Sequence, residues 1–308
     1  MDKGIIKHIV EKVRGAIGPV EHVEPVTGGY SPDRKYSLWR GGEPKYLMRL
    51  SAISERQRRE NEFHWIGEHY SKGVLCPAAV AFGVIEEESV VYYVLDYLPG
   101  EAASEVLPRL SCEQQHEIGT IAGRELRKIH NVEGGETSVE WRERLRCKYQ
   151  RYADVMRREG LRYEGQETVE RYVEQRGHLL EGQPVQFQHD DFHPGNLFVR
   201  DGRFGGVIDF NRFDWGDPWQ DFYKVAFFTA PLSPEFARGQ VVGYFAGPPP
   251  ASFWPLYNLY VGMAISFTLG WAAGDPDRPI AWAKEHAGVI VRTHDFLGGG
   301  PPEWFRTV

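Results

Sequence analysis

Cysteine is scarce in this sequence, and the spacing of its cysteines suits neither a disulfide framework nor a zinc site. The 308 residues include three cysteines, Cys76, Cys112 and Cys147, which lie far apart and form no Cys-x-x-Cys pair. An odd number of widely spaced cysteines argues against a disulfide-stabilised scaffold and against a cysteine-ligated zinc site. The pattern predicts a reducing compartment, and we expect the protein to lie in the cytoplasm.

The sequence also lacks a surplus of positive charge and a long uninterrupted apolar run. Its net charge is −7 and its isoelectric point about 5.9, so nothing points to a nucleic-acid partner. The most apolar stretch, residues 257–273, is shorter than the roughly 20 residues of a membrane span and contains polar side chains. The N-terminal MDKGIIKHIVEKVRG has the pattern of an amphipathic helix and not of a signal peptide. We therefore expect no membrane partner, and a buried helix at 257–273.

The distribution of strand and helix patterns predicts two lobes. Residues 1–98 contain short alternating segments with glycine turns, such as KYSLWRGGEPKYLMRLS, and end in the apolar strand VVYYVLDYLPG. One helix is expected within them at 52–71, where Phe63, Ile66 and Tyr70 recur at helical spacing. Residues 99–308 are mainly helical in pattern. We predict an α+β protein with a small antiparallel-sheet lobe at 1–98 and a larger, mostly helical lobe at 99–308.

The densest group of polar side chains lies in QHDDFHPGNLF, residues 188–198. Two histidines, two aspartates and one asparagine fall between His189 and Asn196, and Pro-Gly bends the segment into a loop. Two chemistries use such a loop. In one, His189, Asp191 and His193 ligate a metal directly, as in a metal-dependent hydrolase. In the other, phosphoryl transfer, an aspartate directs a hydroxyl group and an asparagine holds Mg²⁺.

The residues after this loop predict a β-hairpin that bears on the choice. Asp201-Gly202 between two apolar runs is a strong signal for a two-residue turn. With this turn, Asn196 lies beside the end of the second strand, within two residues of Asp209. An amide oxygen and a carboxylate at one place make the hard oxygen site that Mg²⁺ prefers. The hairpin therefore favours phosphoryl transfer.

The loop and the second strand together resemble the aminoglycoside phosphotransferase family, which has a protein-kinase-like fold. The family pattern His-x-Asp-x-His-x-x-Asn followed by Ile-Asp-Phe or Ile-Asp-Trp is matched by His189, Asp191, His193, Asn196, Ile208, Asp209 and Phe210. The sequence departs from it at Asp190, where the family usually has glycine. Further on, Gly216, Asp217, Pro218 and Asp221 resemble a segment that supports the loop. The resemblance spans residues 25–225.

The resemblance extends to a nucleotide site in the first lobe. It implies that Gly28 and Gly29 belong to a glycine-rich loop over the nucleotide, and that Arg49 binds the phosphates. The acidic partner of Arg49 is expected on the following helix, at Glu62 or, nearly as well placed, at Glu60. The segment from Asp96 to Leu98 resembles the hinge between lobes, whose backbone meets the adenine ring.

The resemblance implies an enzyme that transfers the γ-phosphoryl group of ATP, with Mg²⁺, to a hydroxyl group of a small molecule. Asp191 would orient the hydroxyl group, and Asn196 and Asp209 would hold Mg²⁺. His189 and His193 would fix the loop. The family phosphorylates aminoglycosides, and its relatives act on macrolides, choline, homoserine or sugar amines. An acidic cleft favours a cationic, aminoglycoside-like acceptor, and a monomer or homodimer is expected. A binding protein without activity remains a third hypothesis beside the kinase and the hydrolase.

Overall fold

The computed structural model describes residues 2–27, 33–132, 138–274 and 280–306, which form two compact units. The N-terminal unit contains Met1–Glu101 together with Phe198–Asp201 and Gly205–Arg212, and the C-terminal unit contains Ala102–Leu197, Gly202–Phe204 and Phe213–Val308. The assignment of residues 1–98 to nucleotide binding and of 99–308 to catalysis stays a prediction.

The N-terminal unit is built on a five-stranded antiparallel sheet. Its helices are α1 (Asp2–Ile17) and α2 (Arg56–Ser71), and its strands are β1 (His22–Val26), β2 (Arg34–Arg40), β3 (Glu43–Ala52), β4 (Ala79–Ile85) and β5 (Val90–Asp96). The strand order is β1-β2-β3-β5-β4, with every neighbouring pair antiparallel. Gly41 and Gly42 connect β2 to β3 with φ angles of 68° and 77°, which glycine adopts without strain. The predicted antiparallel sheet with one inserted helix is confirmed.

The first helix supplies one side of the core of this unit. Ile5, Ile9, Val13 and Ile17 recur every four residues and are all buried. They belong to one apolar cluster with side chains of the sheet, among them Leu38, Met48 and Val94. Removal of this stripe from water is the main force that holds an amphipathic helix to a sheet. The amphipathic helix predicted from the N-terminal sequence is confirmed.

The second helix buries only part of the stripe that its apolar residues predict. Tyr70 is 51% exposed, so its expected place in that stripe is wrong. Ile66 of that stripe is buried and Phe63 is half-buried, and the other buried side chains of α2 are Arg59, Glu62 and His69. A buried charged side chain requires a partner of opposite charge, and a hydrophobic pattern contains no information about such partners.

The C-terminal unit is mainly helical. Its helices are α3 (Ala103–Val106), α4 (Cys112–His130), α5 (Ser138–Arg158), α6 (Gln166–Arg176), α7 (Pro234–Phe245), α8 (Phe253–Ala273), α9 (Ile280–Thr293) and α10 (Glu303–Arg306). The later strands of the chain are β6 (Glu101–Ala102), β7 (Gln186–Gln188), β8 (Leu197–Arg200), β9 (Arg203–Val207) and β10 (Asp214–Gly216). β7 pairs with β10, and β6, β8 and β9 form a three-stranded sheet. Short helical turns lie at Pro194–Asn196 and Pro218–Phe222, and a π-helix at Val225–Thr229.

Two helices of this unit pack at very close range through glycines. A Cβ atom on Gly119 or Gly123 of α4 would overlap backbone carbonyl oxygens of α7, and the same holds for Gly239 and Gly243 of α7 against α4. Such contacts require residues without a side chain. The long apolar helix α8 is largely buried, as expected for residues 257–273. In the described part of the chain, no helix has the length and apolar character to cross a membrane.

Candidate active site

The 189–196 loop of the C-terminal unit is held from behind by Asp221. Its carboxylate accepts hydrogen bonds from the backbone N–H groups of His189, at 2.8 Å, and Asp190, at 2.9 Å. The same carboxylate lies 3.1 Å from Nε2 of His130, on α4. Asp221 is 1% exposed, so these contacts form in a site from which water is excluded. The predicted support of the loop by this downstream segment is confirmed.

The carboxylate of Asp191 is held at both oxygens. Its Oδ1 is 2.7 Å from Nζ of Lys224, and Nδ2 of Asn196 donates to its Oδ2 at 3.2 Å. Burial alone would raise the pKa of Asp191, but the proton on His193 and the charge of Lys224 outweigh it and hold that pKa well below its usual range. Asp191 is therefore a fixed carboxylate that stays ionised at neutral pH.

The two histidines of the loop act on its backbone. Nδ1 of His189 accepts from the N–H of Asp191 at 3.3 Å, and Nδ1 of His193 accepts from the N–H of Gly195 at 3.1 Å. Since Nδ1 of His193 is an acceptor, its proton lies on Nε2, which is 3.6 Å from Asp191. Among the described residues no group of three His, Cys, Asp or Glu side chains has the geometry of a metal site. The loop geometry therefore gives no support to a zinc hydrolase.

Asn196 is oriented so that its oxygen can act as a ligand. Its Nδ2 donates to the backbone oxygen of Asp191 at 3.0 Å and to the carboxylate of the same residue. The amide nitrogen therefore points at Asp191, and Oδ1 points away from it. Asn196 and Asp209 belong to different units, and their convergence on one cation stays a prediction.

Lys224 is the residue of this site that the sequence did not reveal. Its side chain is 6% exposed, and its ammonium lies 5.2 Å from the ring of Tyr223 and 5.5 Å from the ring of Phe228. Lys224 directly precedes the π-helix Val225–Thr229, a rare conformation that is frequent at functional sites. Two aromatic faces and one carboxylate thus hold a buried cation. Its separation from Asp191 by 33 residues leaves no local pattern to find it by.

The N-terminal unit places Arg49 in a buried ion network. Its NH1 is 3.1 Å from Glu62 and its NH2 is 2.7 Å from Asp33. Arg59 joins the same two carboxylates, at 2.8 Å from Glu62 and 2.9 Å from Asp33. We call Asp33, Arg49, Arg59 and Glu62 the buried ion network. Glu60 is exposed, so the structure brings Glu62 and not Glu60 to Arg49.

Arg49 stays charged in this network although it is buried. Burial opposes its charge, and the neighbouring Tyr93, Glu62, Asp209 and Asp33 outweigh burial, so its pKa is raised. Nε of Arg49 is buried without an acceptor among the described residues. The sequence predicted Arg49 and Glu62 of this network but not Asp33 and Arg59, because these two residues belong to no recognisable motif.

Asp209 follows β9, and it lies 3.8 Å from NH1 of Arg49. Its side chain is 31% exposed, and Nδ2 of Asn211 donates to it. Its φ angle is 69°, in the left-handed region that few residues other than glycine adopt. Upstream, Asp201 and Gly202 have φ angles of 51° and 71°, so the predicted two-residue turn is confirmed.

The remaining predicted nucleotide residues divide into two groups. Gly28 and Gly29 lie outside the described residues. In the predicted hinge, the N–H of Asp96 donates to Ala78 at 3.0 Å and the N–H of Tyr97 to Lys45 at 2.9 Å. These two donors are used within the unit. The contact of Asp96 to Leu98 with the adenine ring stays a prediction.

Solved structures of aminoglycoside phosphotransferases share this architecture. The streptomycin–ATP complex of APH(2″)-IIa is 16% identical with a TM-score of 0.65, and the match covers 96% of this chain and 97% of that chain. APH(4)-Ia is 18% identical with a TM-score of 0.65, covering 95% and 99%. The GDP complex of aminoglycoside 2′-phosphotransferase-IIIa is 12% identical with a TM-score of 0.68, covering 95% and 98%. The fold is thus that of the aminoglycoside kinases.

The sequence itself identifies the family. The pattern of the phosphotransferase enzyme family matches residues 22–254, and the chain belongs to this family. No curated protein matches the chain. The matched residues include Arg49, Asp191, Asn196 and Asp209, around which the two described sites are built.

Proposed function

We propose that the protein transfers the γ-phosphoryl group of ATP, with Mg²⁺, to a hydroxyl group of a small, aminoglycoside-like molecule. The observation that carries this proposal is the carboxylate of Asp191, fixed by Lys224 and Asn196 and ionised by its surroundings. In phosphoryl transfer the protein acts mainly by positioning the reactants and neutralising charge. A fixed, ionised carboxylate on a loop of this family fits that task.

Asp191 orients the acceptor hydroxyl group in this proposal. Because its pKa is low, it is a weak base and takes the proton only as the bond to phosphorus forms. Lys224 keeps the carboxylate charged and still, so that the hydroxyl group meets one defined acceptor. Proximity and orientation of this kind supply a large part of enzymatic rate enhancement.

Asn196 and Asp209 would hold Mg²⁺. The donor set fits this ion, since an amide oxygen turned away from Asp191 and a part-exposed carboxylate are both hard oxygen ligands. The bound ion would neutralise charge on the phosphates. The orientation of Asn196 by Asp191 couples the metal ligand to the residue that orients the hydroxyl group.

Arg49 would bind the phosphates of the nucleotide, while Glu62 holds the side chain of Arg49 in place. Its buried Nε without an acceptor is consistent with an anionic ligand. Backbone groups at Leu98 would meet the base. The solved relatives include an ATP complex and a GDP complex, and we propose ATP as the donor.

The acceptor is proposed from the relatives and from charge. The relatives bind streptomycin, gentamicin or hygromycin B. The net charge of −7 suits a cationic acceptor. Kinases of small metabolites such as choline, homoserine or sugar amines are the alternative, and they differ from the main proposal in the acceptor alone.

We propose the cytoplasm as the location. All three cysteines are free, and Cys112 and Cys147 are exposed. Exposed thiols persist in a reducing compartment. A monomer or homodimer stays the predicted assembly.

The test is ADP release with Mg²⁺ and ATP across aminoglycosides, macrolides and small amino-alcohols, run with the wild type and Asp191→Ala. Stimulation by an aminoglycoside that disappears in the variant supports the full proposal. Stimulation by a metabolite alone reduces it to a small-molecule kinase. No nucleotide binding by the wild type would overturn it.

A further inference from the structure

Two consecutive aspartates of the loop have opposite surroundings. Asp191 has the ammonium of Lys224 at 2.7 Å. Asp190 has no lysine, arginine or histidine of the described residues within ion-pair distance, and its carboxylate accepts one side-chain hydrogen bond, from the hydroxyl group of Tyr223 at 3.3 Å. Asp190 is nevertheless half-buried. It is a carboxylate that the described protein leaves without a cation.

The surroundings of Asp190 offer little that stabilises a charged carboxylate. Burial raises the pKa of Asp190 to about 6, against the attraction of Lys224 and Lys148. The backbone of Asp190 has a φ angle of 53°, where glycine is the residue without strain. A long hydrogen bond from a neutral hydroxyl group offsets little of the cost of burying a charge. A side chain that destabilises its own loop is a candidate for a ligand contact.

The carboxylates of Asp190 and Asp191 are contacted by two consecutive residues of one segment. Tyr223 contacts Asp190, and the next residue, Lys224, contacts Asp191. One short segment thus faces both carboxylates. Consecutive Cα atoms are about 3.8 Å apart, so the backbone of Asp190 lies close to the residue proposed to orient the acceptor hydroxyl group.

We propose that Asp190 binds an ammonium group of the acceptor and thereby determines specificity, an inference that rests on the proposed kinase function. The acceptors it selects carry the ammonium group on the same ring as the reacting hydroxyl group or on an adjacent ring. An organic ammonium suits this position, because one carboxylate with one neighbouring hydroxyl group can accept and orient N–H donors. The ligand supplies the counter-charge that the protein omits.

The experiment measures the binding of kanamycin A and of its fully N-acetylated derivative by isothermal titration calorimetry. The derivative keeps the hydroxyl groups and loses the charges. The variants are Asp190→Asn and Asp190→Gly, and the second also relieves the strained backbone. The matched control is Asp201→Gly, which makes the same change at a positive φ of 51° in an exposed turn. The KM of each acceptor and of ATP is measured in parallel.

The wild type is expected to prefer kanamycin A over the derivative, and both Asp190 variants to reduce this preference by about tenfold, since a charge-assisted hydrogen bond is lost. The effect should fall on the KM of the acceptor and not on that of ATP. Asp201→Gly should keep the wild-type preference. An unchanged preference in both Asp190 variants, or none in the wild type, overturns the role of Asp190. Binding without turnover of any acceptor instead overturns the kinase function and leaves Asp190 as an ammonium site.

Discussion

The buried charges of the N-terminal unit are balanced among themselves, whereas those of the 189–196 loop in the C-terminal unit are not. In the buried ion network, Arg49 and Arg59 each contact both Asp33 and Glu62, at 2.7 to 3.1 Å. Two cations and two carboxylates balance each other in the network, and a third carboxylate, that of Asp209, lies 3.8 Å from NH1 of Arg49 at its edge. Its charges therefore fix side chains in place, and its integrity is a property of the folded unit alone.

The loop of the C-terminal unit distributes its charges differently. Lys224 pairs with Asp191, and Asp190 beside it has no cation among the described residues. The network suits a positioning task, because the side chains of Arg49 and Arg59 are held by carboxylates of the fold before any nucleotide arrives. The 189–196 loop suits recognition, because the carboxylate of Asp190 would receive its counter-charge from a bound ligand.

The largest effect is expected from breaking the buried ion network. Glu62→Gln should lower the free energy of unfolding by about 3 kcal/mol, because it leaves the charges of two buried arginines undercompensated. Glu60→Gln is the matched control on the same helix and should change it by less than about 0.5 kcal/mol, since Glu60 is exposed. Urea unfolding measures both. Equal losses in the two variants would show that the loss does not come from the buried ion network.

A substitution in the 189–196 loop or at its partner Lys224 should lower the catalytic rate, whereas a substitution in the buried ion network should lower stability. Lys224→Met should lower kcat roughly 100-fold by releasing the carboxylate of Asp191, and Lys224→Arg should restore part of it. In an Asp191→Asn background, Lys224→Met should have no further effect, since the lysine acts through that carboxylate. Lys284→Met, an exposed change on α9, is the control. Equal losses in both backgrounds would place the action of Lys224 elsewhere.

A change at Asp209, the proposed metal ligand of the N-terminal unit, should affect ATP binding only when magnesium is present. Asp209→Asn should weaken ATP binding about tenfold in Mg²⁺, because a charged oxygen ligand is replaced by a neutral one. In EDTA the variant and the wild type should bind ATP equally. Calorimetric titration under the two conditions checks this. A difference of equal size in EDTA would assign Asp209 to the ion network and not to the metal.

The smallest effect concerns the carboxylate of Asp190 and the pH dependence of the free energy of unfolding. The pKa of Asp190 is raised to about 6, so the folded protein keeps this proton to higher pH than the unfolded chain does. The free energy of unfolding therefore falls as the pH rises from about 4 to 6, because the carboxyl group of Asp190 loses its proton in the folded protein. Above pH 6 this loss of stability is complete. The asparagine of Asp190→Asn cannot titrate. The free energy of unfolding of this variant at pH 7.5 should exceed that of the wild type by on the order of 1 kcal/mol.

The difference in the free energy of unfolding between Asp190→Asn and the wild type should decrease as the pH falls to 4. Asp217, whose burial also raises its pKa to about 6, is unchanged in both proteins and cancels in the comparison. Free energies of unfolding by urea at both pH values give the difference. A gain that is the same at pH 4 and pH 7.5 would mean that backbone strain, and not the unpaired charge, destabilises the loop.

Local patterns made much of the fold and site predictable. The two-residue turn at Asp201-Gly202, the amphipathic α1 and the buried α8 each follow from residues that are neighbours in sequence. The loop residues were recognisable because their spacing is fixed by one tight turn at Pro194–Asn196. These are features that a continuous segment determines by itself.

Contacts between distant segments were not predictable in the same way. Lys224 is 33 residues from Asp191, and Asp33 is 16 residues from Arg49. The burial of Arg59 and Glu62 on α2 runs against the hydrophobic pattern that predicts which face of a helix is buried. Each of these side chains is buried because a charge elsewhere in the fold compensates it, and that partner is known only once the fold is known.

We propose that Asp191 directs the γ-phosphoryl group from the nucleotide to an acceptor hydroxyl group. The most direct measurement is ³¹P NMR of a reaction with Mg²⁺, ATP and the acceptor that most stimulates ADP release, using the wild type and Asp191→Asn. We expect a phosphomonoester signal that grows together with ADP in the wild type and forms at least roughly 100-fold more slowly in the variant. Inorganic phosphate as the only product, or the same rate in both proteins, would contradict it.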